Sequence, residues 1–142
     1  MLPSAFFSCA TCGVELTEFL SQMPEDELRF DVETPAVPRG NFIQVAFSWT
    51  YRDFVTGRKS GHTYGSADGD LVAFEANDYL LGIAEVRHLV VANARYGCCG
   101  LQPRAELNAT CPNGHAIGTI HSDCWAASVC RLAHTHVTQV VA

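Results

Sequence analysis

Phe42-Ile43-Gln44-Val45-Ala46-Phe47-Ser48-Trp49-Thr50-Tyr51 sets Val45, Phe47, Trp49 and Tyr51 in alternation with Gln44, Ala46, Ser48 and Thr50. Successive side chains of a strand point to opposite faces of a sheet, so this two-residue period predicts a half-buried β-strand. Thr56-Gly57-Arg58 then supplies turn residues, and Lys59 to Tyr64 reads as the returning partner of a hairpin. Ser66-Ala67-Asp68-Gly69-Asp70 is a second turn, with a short strand from Leu71 to Phe74 behind it. Asn77 and Asp78 offer side-chain acceptors to the first N–H groups of a helix, so Tyr79 to His88 is expected to be helical, with Gly82 its weak point. Leu89 to Ala92 reads as a strand. On the other flank, the prolines of Pro24-Glu25-Asp26-Glu27 and Thr34-Pro35-Ala36-Val37-Pro38-Arg39-Gly40 each remove a backbone donor, and residues 21 to 40 are expected to be mostly loop.

Composition narrows the class. A chain of 142 residues with 48% hydrophobic and 17% charged content can bury an ordinary core without covalent or metal staples. The formal charge of −6 argues against nucleic acid as a partner, because phosphate binding rests on clustered Lys and Arg. No run approaches the roughly 20 apolar residues of a membrane helix. Met1-Leu2-Pro3-Ser4-Ala5-Phe6-Phe7 lacks the basic start and apolar length of a secretory signal, and the seven cysteines are an odd number. Both features favour a cytoplasmic chain with reduced thiols over a disulfide framework, and cysteine clusters in that compartment bind metal or do redox chemistry.

The cysteines concentrate the chemistry. In Cys9-Ala10-Thr11-Cys12-Gly13, two thiols of one tight turn can meet the same ion while the glycine takes a left-handed backbone. Toward the other end come Cys98-Cys99-Gly100, Cys111-Pro112-Asn113-Gly114-His115 and Asp123-Cys124-Trp125. Adjacent side chains on extended backbone diverge, so Cys98 and Cys99 are not expected on one ion. The simplest arrangement is a single Zn2+ site that joins Cys9 and Cys12 to two ligands from the tail. Cys99 and Cys111 come first, and Cys124 and His115 are the alternatives. Cys130, between Val129 and Arg131, reads as core.

The ordered set Cys9-x-x-Cys12-Gly13, Val37-Pro38-Arg39-Gly40, Cys98-Cys99-Gly100-Leu101, Asn108-x-x-Cys111 and Asp123-Cys124-Trp125 resembles a group of small uncharacterised bacterial proteins. The resemblance spans nearly the whole chain. It implies metal binding in a bacterial cytoplasm and carries no reaction with it. Where that pattern often has a further cysteine two residues after the position of Cys111, this chain has Asn113.

Other motifs are weaker. Asp53, Asp68, Asp70 and Asp78 fall in turn-like sequence and read as solvated. His134-Thr135-His136 would put two imidazoles on one side of a strand, a chelating geometry that near a chain end is more often surface decoration. There is no His-Glu-x-x-His, glycine-rich phosphate loop, Gly-x-Ser-x-Gly or deaminase signature. A thioredoxin-like role for Cys9 and Cys12 would need a helix behind them, with Thr17 to Met23 as the candidate.

The expectation is therefore an α+β, mainly β fold. It comprises one zinc-binding domain over residues 1–142, a central antiparallel hairpin or sheet, one or two short helices, and a zinc knuckle joined to C-terminal loops. Two functions compete. One is a structurally zinc-bound module that recognises a protein partner through Trp49, Tyr51, Phe54 or Trp125; the other is a metal- or thiol-dependent enzyme with an open coordination position.

Overall fold

The computed structural model describes residues 2–58, 72–92, 107–122 and 127–142. Strand β1 (Ser4–Cys9) buries Ala5, Phe7 and Cys9 while Ser4, Phe6 and Ser8 stay half-exposed, the period that its sequence sets. It pairs antiparallel with β2 (Leu20–Gln22) on one side and with β11 (Val137–Val141) on the other. β2 runs parallel to β3 (Asn41–Gln44), and the segment between them, with a 3₁₀ turn at Glu25–Glu27, is the long crossover that parallel pairing requires.

The remaining strands are β4 (Trp49–Thr50), β5 (Val72–Phe74), β6 (Tyr79–Leu81), β7 (Val90–Val91), β8 (Ala109–Thr110), β9 (Ala116–His121) and β10 (Val129–Leu132). Among the described residues, nine strands form one mixed sheet in the order β11-β1-β2-β3-β6-β10-β9-β8-β7, and β4 pairs with β5 in a small second sheet.

The centre of the large sheet is covered on both faces. Phe42, Leu81 and Cys130 are in register across β3, β6 and β10, and they pack with Phe7 and Leu132 in one core cluster. The next residues along, Ile43 and Leu80, belong to a second cluster with Val45, Trp49, Phe54 and Phe74. That cluster lies under β4, β5 and the helix α1 (Tyr51–Thr56).

This architecture corrects the α+β expectation. The fold is mainly β, with one six-residue helix among the described residues. The alternating stretch from Phe42 is not one strand. Val45 is held by backbone bonds with Asn77 and Asp78, Ala46 to Ser48 bend outward and leave Phe47 70% exposed, and the chain resumes as β4 in the other sheet. Thr50 and Asp53 then form a reciprocal capping box that starts α1, so the expected hairpin turn at Gly57 is instead the left-handed end of a helix. The returning strand, Lys59 to Tyr64, and the turn at Ser66 to Asp70 lie outside the described residues.

The helix expected over Tyr79 to His88 is absent. Tyr79-Leu80-Leu81 is a fully buried strand with neighbours on both sides, followed by a 3₁₀ turn at Ile83–Glu85. A strand buried on both faces loses the polar half of its alternation, and its apolar run looks like a buried helix. Thr17 to Met23 is not helical either; it runs extended into β2, which removes the thioredoxin-like setting for Cys9 and Cys12. Trp49 and Phe54 are buried and offer no exposed patch, while Trp125 and the Tyr51 side chain lie outside the described residues. No helix among the described residues is long and apolar enough to cross a membrane.

The sheet also curls. The Phe7 and Tyr79 ring centroids are 4.6 Å apart although three ladders separate β1 from β6, and the Tyr79 hydroxyl donates to Gln139 Oε1 of β11 at 3.4 Å. This curl brings the ends of β1 and β8 together.

Candidate metal centre

Two turns build the site. At the end of β1 the chain reverses through Ala10, Thr11 and Cys12. Cys9 N–H donates to Val14 O at 2.9 Å and Gly13 N–H donates to Cys9 O at 2.8 Å. Gly13 has φ +77°, the left-handed backbone expected of it. The second turn links β8 to β9. Cys111 N–H donates to His115 O at 2.9 Å and Gly114 N–H to Cys111 O at 3.0 Å, with Gly114 at φ +86°.

The sequence expectation of a knuckle joined to loops is corrected here. Among the described residues no zinc knuckle stands as a separate unit: the Cys9–Gly13 turn is the continuation of a sheet strand, bridged back through Ser8 and Glu15, and it faces a strand hairpin.

The ligand atoms of Cys9, Cys12, Cys111 and His115 all lie within 4.8 Å of one another, and the group could hold a metal ion. Cys12 Sγ is 3.8 Å from Cys111 Sγ, and Cys111 Sγ is 3.5 Å from His115 Nδ1. β1 and β8 stand six places apart in the sheet order. In a flat sheet with strands about 4.8 Å apart, that separation would put them about 29 Å from each other. The curl of the sheet is therefore the condition for the cluster.

Cys9 and Cys111 are buried, His115 is half-buried, and Cys12 is exposed. Asn113 serves both turns: its side-chain amide donates to Cys12 Sγ at 3.3 Å and its backbone N–H to Cys111 Sγ at 3.4 Å. The amide of Asn113, followed by the Val14 backbone, lowers the Cys12 thiol to about 6, so that it is mostly thiolate at neutral pH. Burial pushes the Cys9 thiol up. The cluster thus pairs one thiol shifted toward its anionic form with one that burial shifts toward its neutral form, and a bound cation would favour the anion of both.

Of the six residues singled out in the sequence, Cys9, Cys12, Cys111 and His115 converge; Cys99 and Cys124, like Cys98, lie outside the described residues. Asn113 was missed as a functional residue. The signal was present: Asn-Gly at positions 113 and 114 is a strong hairpin marker, and a tight turn there puts Cys111 and His115 on the same side of one loop.

The other candidates have structural work. Cys130 is fully buried, and burial pushes its thiol to about 12. His134 and His136 occupy a turn before β11, not a strand, and His134 Nδ1 lies 2.8 Å from Asp78 Oδ1. Asp78 and Asp53 are buried, not solvated. Asp78 pairs with Arg131 at 3.2 Å in the sheet interior, and Asp53 caps α1. Asp68 and Asp70 lie outside the described residues.

Comparison with protein-family models, with curated proteins and with solved structures found no match. The resemblance to small bacterial cysteine-pattern proteins accordingly adds no family assignment, and the Cys/His cluster stands on its geometry.

Proposed function

We propose that Cys9, Cys12, Cys111 and His115 hold one Zn2+ as a closed structural site, and that the protein acts as a metal-stabilised module that binds another protein. The observation that carries the metal reading is the spacing of the donor atoms. In a tetrahedral site with Zn–S about 2.3 Å and Zn–N about 2.05 Å, two sulfurs are about 3.8 Å apart and a sulfur and nitrogen about 3.6 Å apart. The Cys12–Cys111 and Cys111–His115 separations of 3.8 and 3.5 Å match these edges. Three thiolates and an imidazole are also the donor set of structural zinc, and soft sulfur disfavours magnesium or calcium.

Four protein donors fill a tetrahedron and leave no position for water, which favours a structural over a catalytic ion. One domain over residues 1–142 and a cytoplasmic setting belong to the same proposal, because free thiolate ligands need a reducing compartment. A protein partner fits an acidic surface that exposes Phe19 at 55%.

Elemental analysis of protein purified without added metal tests the reading, together with His115→Ala and substitution by Co2+. One zinc per chain, reduced in the variant, and the visible bands of tetrahedral cobalt are expected. Protein free of zinc that also gives no tetrahedral cobalt spectrum would overturn it.

A further inference from the structure

The members of the cluster differ in their access to solvent. Cys9 is 1% and Cys111 0% exposed, whereas Cys12 sits on the outside of its turn, with Sγ only 3.8 Å from that of Cys111. A disulfide needs the sulfurs at about 2.05 Å, so side-chain rotation has to close a gap of about 1.8 Å. Cys12 belongs to a turn whose glycine has open space around it, while Cys9 is fixed in the β1–β11 ladder opposite Val137.

We infer that Cys12 is an oxidant-sensitive modification site, at which a two-electron oxidant of the peroxide class links Cys12 to Cys111 and dismantles the metal centre. Release of the ion rests on the zinc reading above; formation of the sulfur–sulfur bond does not.

The chemistry balances in two steps. The Cys12 sulfur attacks one oxygen of hydrogen peroxide, the O–O bond breaks, and a sulfenic acid and one water result. The Cys111 sulfur then attacks the Cys12 sulfur, forms the S–S bond and expels the hydroxyl as a second water. Two electrons pass from the two sulfurs to one peroxide, and its two oxygens leave as water with two protons, taken from the thiols in metal-free protein and from solvent where the sulfurs are zinc-bound thiolates. Cys9 and His115 are left as the remaining donors, too few to hold zinc in a closed tetrahedron. The new bond joins the same two turns that the ion joined, so oxidation exchanges one clasp for another.

The test uses the full chain as purified. Zinc is first measured by elemental analysis. One equivalent of hydrogen peroxide is then added beside a chromogenic zinc chelator, remaining thiols are alkylated, and cross-linked peptides are assigned by fragment-ion mass spectrometry. The inference expects a Cys12–Cys111 link, one zinc released per link, reversal by dithiothreitol with added zinc, and no link in Cys12→Ser. Oxidised protein should also melt above reduced, chelator-treated protein. A link between Cys9 and Cys12, or Cys12 carried to sulfinic acid without a link, would overturn the inference. A link formed in protein that held no zinc would uphold the thiol pair and overturn the metal reading.

Discussion

Acid should unfold this protein through one buried imidazole. His121 ends β9 with no exposed surface, its ring stands 5.3 Å from that of Phe74 and 5.7 Å from that of Phe54, and neither ring nitrogen has a hydrogen-bond partner among the described residues. Burial, reinforced by the Arg131 cation, lowers its pKa from 6.5 to about 3, so it is neutral in the folded state. Because the folded value lies below the unfolded one, the contribution to stability is complete above about pH 6.5 and is lost as pH falls toward 3. With those two values, linkage gives a loss of about 2 kcal/mol between pH 8 and pH 5, and about 1.3 kcal/mol more by pH 4. Urea unfolding of chelator-treated wild type and His121→Leu across this range isolates the imidazole from metal-ligand protonation. The stability difference between them should shift by about 2 kcal/mol from pH 8 to pH 5. Parallel curves for the two proteins would refute the reasoning, because they would mean that the buried ring binds its proton as readily as in the unfolded chain.

Three further outcomes follow from the same packing. Cys12→Ser should lose metal yet change the stability of metal-free protein by less than about 0.5 kcal/mol, since Cys12 is exposed, while the buried Cys111→Ser should lower both; elemental analysis and urea titration separate the two effects. Gly118→Ala should be poorly soluble or destabilised by about 3 kcal/mol or more, because a Cβ there would sit 1.9 Å from the Arg131 carbonyl oxygen and force β9 from β10; a soluble variant with wild-type melting temperature would contradict the register. Arg131→Met should cost about 3–5 kcal/mol by leaving Asp78 charged in the interior, and the double variant Arg131→Met with Asp78→Asn should recover part of the loss in denaturant titrations.

Some local signals were legible. The glycine turn at Gly13 could be read directly from the chain, as could the strand expected from Leu71 to Phe74, whereas the alternation of β1 passed unread beside the cysteine turn that follows it. Tyr79-Leu80-Leu81 could not, since its apolar character reflects neighbours on both faces and not a helical stripe. The stretch from Phe42 to Tyr51 has a genuine two-residue period, but no local rule places the bend at Val45, which depends on backbone bonds with Asn77 and Asp78. At the candidate site, cysteines near turn glycines marked two loops that converge. That Cys111 and His115 meet Cys9 and Cys12 rests on how far the sheet curls, a property of all its strands together. Asp78 likewise read as a solvated turn residue, and nothing local in the chain marks it, Arg131 or His121 as buried.

The place of β1 between β2 and β11 bears on how the protein is made. Its sulfur-bearing turn precedes, along the chain, both the strand that locks one of its edges and the hairpin that faces it. A ribosome-bound chain would therefore carry an uncommitted Cys9–Cys12 pair until those later segments emerge, and on the proposed zinc reading capture of the ion becomes a finishing step that seals a sheet already assembled. Refolding started with and without zinc should proceed at the same rate and differ only in how fast the product unfolds.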